Sequence, residues 1–129
     1  MSQEDQSESD FVEMIESCLD SVWSLELLLL LHSQPERSWT TSELVSELRS
    51  SELVVAQSLR GLVGAGLVVE LEPGRLRFSA ASPDIAGFVG RLEREYRTRP
   101  NYVRRIIVGR ANAKLQSFSD AFLLRKPPK

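Results

Sequence analysis

The chain has 129 residues, 42% of them hydrophobic, and a formal net charge of −2, which predicts one domain with helical extensions and an ordinary core. The single cysteine excludes an internal disulfide, the first ten residues are too acidic and polar for a signal peptide, and the longest apolar run, residues 27–31, is far too short to cross a membrane. We therefore expect a cytoplasmic protein that does not contact a membrane.

Charge is distributed unevenly along the chain. Residues 1–30 contain eight acids and no Lys or Arg, whereas residues 91–129 contain eleven bases and three acids, a balance of +8. Opposite charges of this kind favour contact between the two ends, within one chain or between two chains. A basic end is equally typical of a surface that binds a polyanion, so the charge distribution alone does not choose between these interpretations.

Two helices are predicted before the first proline. Residues 1–9 are polar and acidic and are predicted to be disordered. Residues 10–21 are predicted to form an amphipathic helix, because their apolar residues recur at the spacing of one helix face. This stripe consists of Phe11, Met14, Ile15, Cys18 and Leu19. The apolar residues 22–31 then predict a buried helix that ends before Pro35.

The stretch from Trp39 to Gly66 predicts two helices joined by a tight turn. Thr40 and Glu43 match a capping box, in which each side chain accepts a hydrogen bond from the other residue's backbone N–H. Ser50 is the predicted N-cap of the second helix, and Gly66 is its predicted left-handed end. The residues predicted to point inward from this second helix are Leu53, Ala56, Leu59, Leu62 and Val63.

Beyond the second helix the spacing of apolar residues changes from helical to alternating, which predicts a β-hairpin over residues 67–79. Pro73-Gly74 is typical of the turn between its strands. Arg75 and Arg77 lie two residues apart and therefore share one face of the second strand.

Two further helices are predicted in the C-terminal region, residues 81–129. Ser82-Pro83 is a typical start for the first of them, and Arg99-Pro100 interrupts it. A last helix and a short basic tail follow. The apolar stripe of this last helix includes Val103, Ile107, Leu115, Phe118 and Phe122.

Residues 22–79 resemble the core of bacterial winged helix-turn-helix transcription regulators of the broad MarR/PadR kind, through the capping box, the hairpin and the segment SELVSELRSSELVVAQSLRGLVGAGLVVE. We therefore predict a mainly α fold with a small β-hairpin, in which a winged helix-turn-helix core over residues 22–80 is flanked by N- and C-terminal helices. The resemblance implies double-stranded DNA as the partner. It places the second helix, about residues 50–65, in the major groove and the hairpin on the DNA backbone as a wing.

The outward face of the second helix supplies the predicted DNA contacts. Gln57 and Arg60 are suited to the edges of adenine and guanine, and Ser51 and Ser58 are suited to phosphates. Because this face carries little positive charge, it is also typical of the solvated side of a core helix.

The predicted wing offers two arginines to DNA. Arg75 and Arg77 are expected to contact adjacent phosphates or the minor groove. The alternative is that they pair with Glu70 or Glu72 across the hairpin. We interpret the arginines between residues 91 and 110 as a solvated face, or as a docking partner for the acidic N-terminal helix, in preference to a DNA contact.

The apolar stripes of the terminal helices predict a homodimer, because long exposed apolar stripes are disfavoured on a monomer and mark interaction surfaces. The alternative is that the stripes fold back on their own domain. The residues of the predicted dimer interface are Phe11, Met14, Ile15, Cys18, Leu19, Val103, Ile107, Leu115, Phe118 and Phe122.

No enzyme, metal site or cofactor is predicted. His32 is the only histidine and is interpreted as a helix cap, while Cys18 is interpreted as a small core residue, so the chain lacks a zinc ligand set. The glycines at residues 61–66 lack the lysine that a phosphate-binding loop needs. We predict a dimeric, sequence-specific DNA-binding transcription regulator. The alternative is a winged-helix adaptor that binds a protein partner and not DNA.

Overall fold

The structure is a computed structural model that describes residues 3–109, with side chains from Ser7 onward. Its helices are α1 (Gln3–Cys18), α2 (Val22–Ser33), α3 (Thr41–Leu48), α4 (Glu52–Gly64), α5 (Pro83–Thr98) and α6, of which residues 100–109 are described. Its strands are β1 (Trp39–Thr40), β2 (Val68–Glu72) and β3 (Arg75–Phe78). The prediction of a mainly helical chain with a small hairpin is therefore confirmed, and β1 adds a third strand that the sequence pattern does not predict.

Hydroxyl side chains start four of the helices. The capping box at α3 is confirmed: Glu43 N donates to Thr40 Oγ1 at 3.2 Å, and Thr40 N donates to Glu43 Oε1 at 2.9 Å. The N-cap of α4 is Ser51 and not the predicted Ser50, with Ser51 Oγ accepting from Val54 N at 3.2 Å. Arg49 is the left-handed C-cap of α3, with φ of 54°, and residues 49–51 form the turn between the two helices.

The three strands form an antiparallel sheet in the order β1-β3-β2. The short β1 joins it because Trp39 pairs with Leu76, while Val68 of β2 pairs with Phe78. The register slips between Glu70 and Glu72, which leaves Leu71 as an extra residue on β2. Such a bulge twists the end of the hairpin away from the core.

One cluster of buried side chains joins helices α1 to α6 and the sheet. Trp39, Leu62 and Leu67 are almost completely buried at its centre, where α4 meets the sheet. The terminal helices contribute Ile15, Leu92 and Ile107 to the same cluster, so the described part of the chain shares a single core.

Helix α1 begins at Gln3, so residues 3–9, which the sequence predicts to be disordered, are helical. Contacts to α5 explain the difference, because Glu8 pairs with Arg91 at 2.7 Å and the Phe11 ring lies 5.8 Å from that of Phe88. The helix ends at Cys18, and Ser21 then caps α2. Among the described residues, no helix combines the length and the apolar character needed to span a membrane.

Candidate functional site

The outer face of α4 presents three of the four residues predicted to contact DNA. Ser51, Gln57 and Arg60 are exposed. Gln57 and Arg60 lie three residues apart and therefore on neighbouring positions of one helix surface. The hydroxyl of Ser51 accepts the backbone N–H of Val54, so its first role is to start the helix.

Ser58 does not lie on this face. It is only 7% exposed and packs on the side of the helix that carries Val55 and Leu62, so the prediction that it reaches a phosphate is corrected. Residues three and four positions apart share a helix surface, which places residue 58 between 55 and 62. A small hydroxyl side chain fits this buried position without a large loss of packing.

Two residues predicted to point inward from α4 are exposed instead. Leu53 is 66% exposed at the first turn, and Val63 is exposed near the last. The buried stripe of α4 runs through Val55, Leu59 and Leu62, and Leu53 falls on the opposite side of the helix. The outer face of α4 is consequently partly apolar, which the sequence pattern does not reveal.

The two arginines of the hairpin differ in their exposure to solvent. Arg75 is exposed and donates from Nη1 to Ser38 Oγ at 3.3 Å, whereas Arg77 is half-buried opposite Val69. The Glu70 carboxylate, a predicted alternative partner, accepts the backbone N–H of Gly74 at 2.9 Å and so closes the tip of the hairpin. Arg75 is therefore the more accessible of the two cations.

The surface around α3, α4 and the hairpin carries almost balanced charge. Residues 39–79 contain four arginines and five glutamates. Glu43 is already engaged, because the Thr40 backbone N–H lowers its pKa and Arg37 lies 3.8 Å away. The four arginines of this surface are Arg49, Arg60, Arg75 and Arg77. Electrostatic attraction to DNA is weaker for such a surface than for a strongly basic one.

A second polar cluster joins α1, α5 and α6. Arg91 donates to Glu8 at 2.7 Å, which confirms that arginine as a docking partner of the acidic N-terminal helix. The Tyr102 hydroxyl also donates to Glu8, and this hydrogen bond, with the nearby Arg91, lowers the pKa of the carboxyl. The tyrosine could not be found from helical spacing, because its partner is 94 residues away.

A similar tyrosine–glutamate contact connects α5 to α2. The Tyr96 hydroxyl donates to Glu26 Oε2 at 2.7 Å and accepts from Arg104 Nη2 at 2.8 Å. Burial and the Glu26 carboxylate raise the pKa of Tyr96. The flanking helices are thus held to the central elements by specific polar contacts as well as by apolar packing.

Six of the ten residues of the predicted dimer interface are buried within the single chain. They are Phe11, Ile15, Cys18, Leu19, Val103 and Ile107. Met14 is half-buried against the same core, and Leu115, Phe118 and Phe122 lie outside the described residues. This burial corrects the premise that the first stripe is exposed, because the stripe of α1 packs on its own domain, as do Val103 and Ile107 of the last stripe. The dimer itself stays a prediction.

The surroundings of His32 and Cys18 indicate that both residues have structural roles. His32 Nδ1 lies 3.8 Å from Glu93 Oε1, and its ring packs edge-on against Phe78 with centroids 4.9 Å apart. Cys18 is buried, and burial raises the pKa of its thiol. Within residues 3–109 no three His, Cys, Asp or Glu side chains are grouped to hold a metal ion.

Comparison of the chain with protein-family models, with curated proteins and with solved structures finds no significant match in any of the three. The resemblance to winged helix-turn-helix regulators therefore stays a prediction, based on the residues that carry it.

Proposed function

We propose that the chain is a winged helix-turn-helix protein that binds double-stranded DNA. The observation that carries the proposal is the element order α2-β1-α3-α4-β2-β3 with the antiparallel sheet β1-β3-β2, an arrangement expected of a winged helix. In this proposal α4 enters the major groove and the β2-β3 hairpin is the wing.

The exposed side chains of α4 suit base recognition. Gln57 can bind the N6 and N7 atoms of adenine, and Arg60 can bind O6 and N7 of guanine. Their positions one turn apart allow them to read neighbouring base pairs. Arg75, exposed on the hairpin, is suited to a phosphate of the DNA backbone.

The test is fluorescence anisotropy on duplexes selected from a random pool, measured at several salt concentrations. Arg60→Ala should reduce the preference for the selected sequence, because a base contact is lost. Arg75→Ala and Arg77→Ala should weaken binding to every duplex and each reduce the slope of log affinity against log salt by about 1.

Arg94→Ala is the matched control, because Arg94 is an exposed arginine on α5, outside α4 and the hairpin. It should leave affinity and salt slope almost unchanged. Equal affinity of the wild type and the triple variant of Arg60, Arg75 and Arg77 would contradict DNA binding.

A protein-binding adaptor is the second candidate, and a specific observation favours it. Leu53 on α4 and Leu71 on the hairpin are 66% and 49% exposed, next to a surface with more glutamates than arginines. Exposed apolar side chains on a mixed surface are typical of protein interfaces. If this surface binds DNA, Leu53→Ser should change affinity little, whereas an adaptor whose partner covers it should lose binding to that partner.

A further inference from the structure

An open groove of about 820 Å³ lies between α1 and α5. The two helices run antiparallel, because Glu8 meets Arg91 and Phe11 meets Phe88. The floor of the groove is apolar and its rim is acidic. Phe11 and Phe88, which are 3% and 7% exposed, form the floor with the half-buried Met14, and Asp10, Glu13 and Asp84 are exposed on the rim.

The charge of the rim favours a basic occupant. Arg91 is the only cation among the residues that line the groove. It is already paired with Glu8 at 2.7 Å and with Glu95 at 3.5 Å, so two carboxylates outside the rim share its charge. A groove with an apolar floor and acidic edges fits an apolar segment flanked by Lys or Arg.

We propose that this groove binds residues 110–129 of the same chain. That segment contains five bases and one acid, which complements the rim. It also contains Leu115, Phe118 and Phe122, three large apolar residues for the floor. The proposal does not depend on DNA binding, because the groove lies on α1 and α5 and shares no lining residue with α4 or the hairpin.

The chain is long enough to reach the groove. Tyr102, in the first turn of α6, contacts Glu8 beside Ser7, which is at one end of the groove. The groove follows α1 from Ser7 to Ser17, roughly 15 Å at 1.5 Å per residue. Residues 110–129 can span several times that length at about 3.3 Å per residue.

A segment of the same chain also has an advantage over a separate copy. A short tether gives it an effective concentration on the order of millimolar, far above the concentration of a second molecule in dilute solution. Intramolecular binding is therefore the expected outcome where the reach allows it.

Disulfide trapping in the 129-residue chain tests the proposal. Gly87→Cys places a thiol in the groove, where a Cβ at Gly87 meets nothing within 4 Å. It is combined in turn with Ser117→Cys, Ser119→Cys or Ala121→Cys, because a disulfide forms only when the two Cα atoms come within about 7 Å. Gly64→Cys on α4 is the matched control, since a Cβ there also meets nothing within 4 Å.

We expect at least one pair with Gly87→Cys to form an intrachain disulfide, identified by non-reducing electrophoresis and mass spectrometry, at least tenfold more than the Gly64→Cys pairs. Phe118→Asp should reduce this yield about tenfold, whereas Gln116→Asp, which adds the same charge outside the stripe, should not. Disulfide-linked dimers would assign the groove to a second copy. Equal yields for Gly87→Cys and Gly64→Cys would show that the segment does not bind the groove, and either result overturns the proposal.

Discussion

Gly66 follows α4 in a left-handed conformation, with φ of 81°, as its position at the predicted helix end implies. A Cβ at this position would lie 2.9 Å from the Cβ of Ala81. The backbone N–H of Ala81 also donates to the Gly66 carbonyl at 2.8 Å, so the two segments cannot move apart without breaking that bond. Both the conformation and the close approach therefore require glycine.

Gly66→Ala should lower the free energy of unfolding by at least about 1–2 kcal/mol, because a left-handed non-glycine residue costs that much before the clash with Ala81 is counted. Gly87→Ala is the matched control. Gly87 lies within α5 and a Cβ there meets nothing within 4 Å, so this change should raise stability by about 0.5–1 kcal/mol. Urea unfolding followed by tryptophan fluorescence measures both, and equal values for the two variants would contradict this assignment.

At the scale of whole elements, α1 depends on contacts made late in the chain. The acidic side chains at the start of α1 would by themselves favour contact with water. Glu8, however, accepts hydrogen bonds from Arg91 of α5 and from Tyr102 of α6. The Arg91 guanidinium also lies over the Phe11 ring, 4.1 Å from its centroid. Polar and apolar contacts to α5 and α6 together explain why α1 starts earlier than its sequence suggests.

The contribution of Glu8 to stability should depend on pH. The hydrogen bond from Tyr102 and the nearby Arg91 lower the pKa of Glu8 in the folded chain. The stabilisation by Glu8 is therefore complete above its unfolded pKa of about 4.3, and it is lost as the pH falls through the folded pKa. Glu8→Gln should therefore be less stable than the wild type at pH 7, by about 1 kcal/mol or less for this partly exposed contact. The difference should shrink below pH ~4.

Thermal unfolding between pH 3 and 7 measures this difference for both chains. Glu16→Gln is the control, because it removes a carboxylate from the same helix without touching Arg91 or Tyr102. A gap between Glu8→Gln and the wild type that stays constant with pH would show that the loss does not come from the ionised carboxylate.

For the whole molecule, the main question is how much apolar surface remains to join two chains. The stripe of α1 and the first part of the last stripe, through Val103 and Ile107, pack into one core. Of the predicted dimer interface, Met14 is half-buried, and Leu115, Phe118 and Phe122 lie outside the described residues. We propose an intramolecular site for these last three. The buried residues of the α1 stripe are therefore covered within one chain.

If the groove binds residues 110–129 of the same chain, the 129-residue chain should be a monomer of 14.5 kDa in light scattering across a concentration series. Phe118→Asp should have the same mass, because the change then affects only an intramolecular contact. A wild type with twice this mass, together with a Phe118→Asp variant that is monomeric or aggregated, would instead support the homodimer predicted from the sequence.

The sequence alone determined the features that depend on near neighbours in the chain. The capping box of Thr40 and Glu43 and the left-handed Gly66 were predictable, because their partners lie within one helical turn or in the local backbone. The change from helical to alternating spacing located the hairpin for the same reason.

Only the tertiary structure decided which surfaces are available. Helical spacing finds a stripe but not the element that covers it, so the stripe of α1 was predicted as an interface although α5 and α6 share its core. The core covers the face of α4 that carries Ser58 and leaves the face with Leu53 exposed, which helical spacing alone does not decide. Contacts such as Tyr102 with Glu8 join residues far apart in sequence, and no local pattern encodes them.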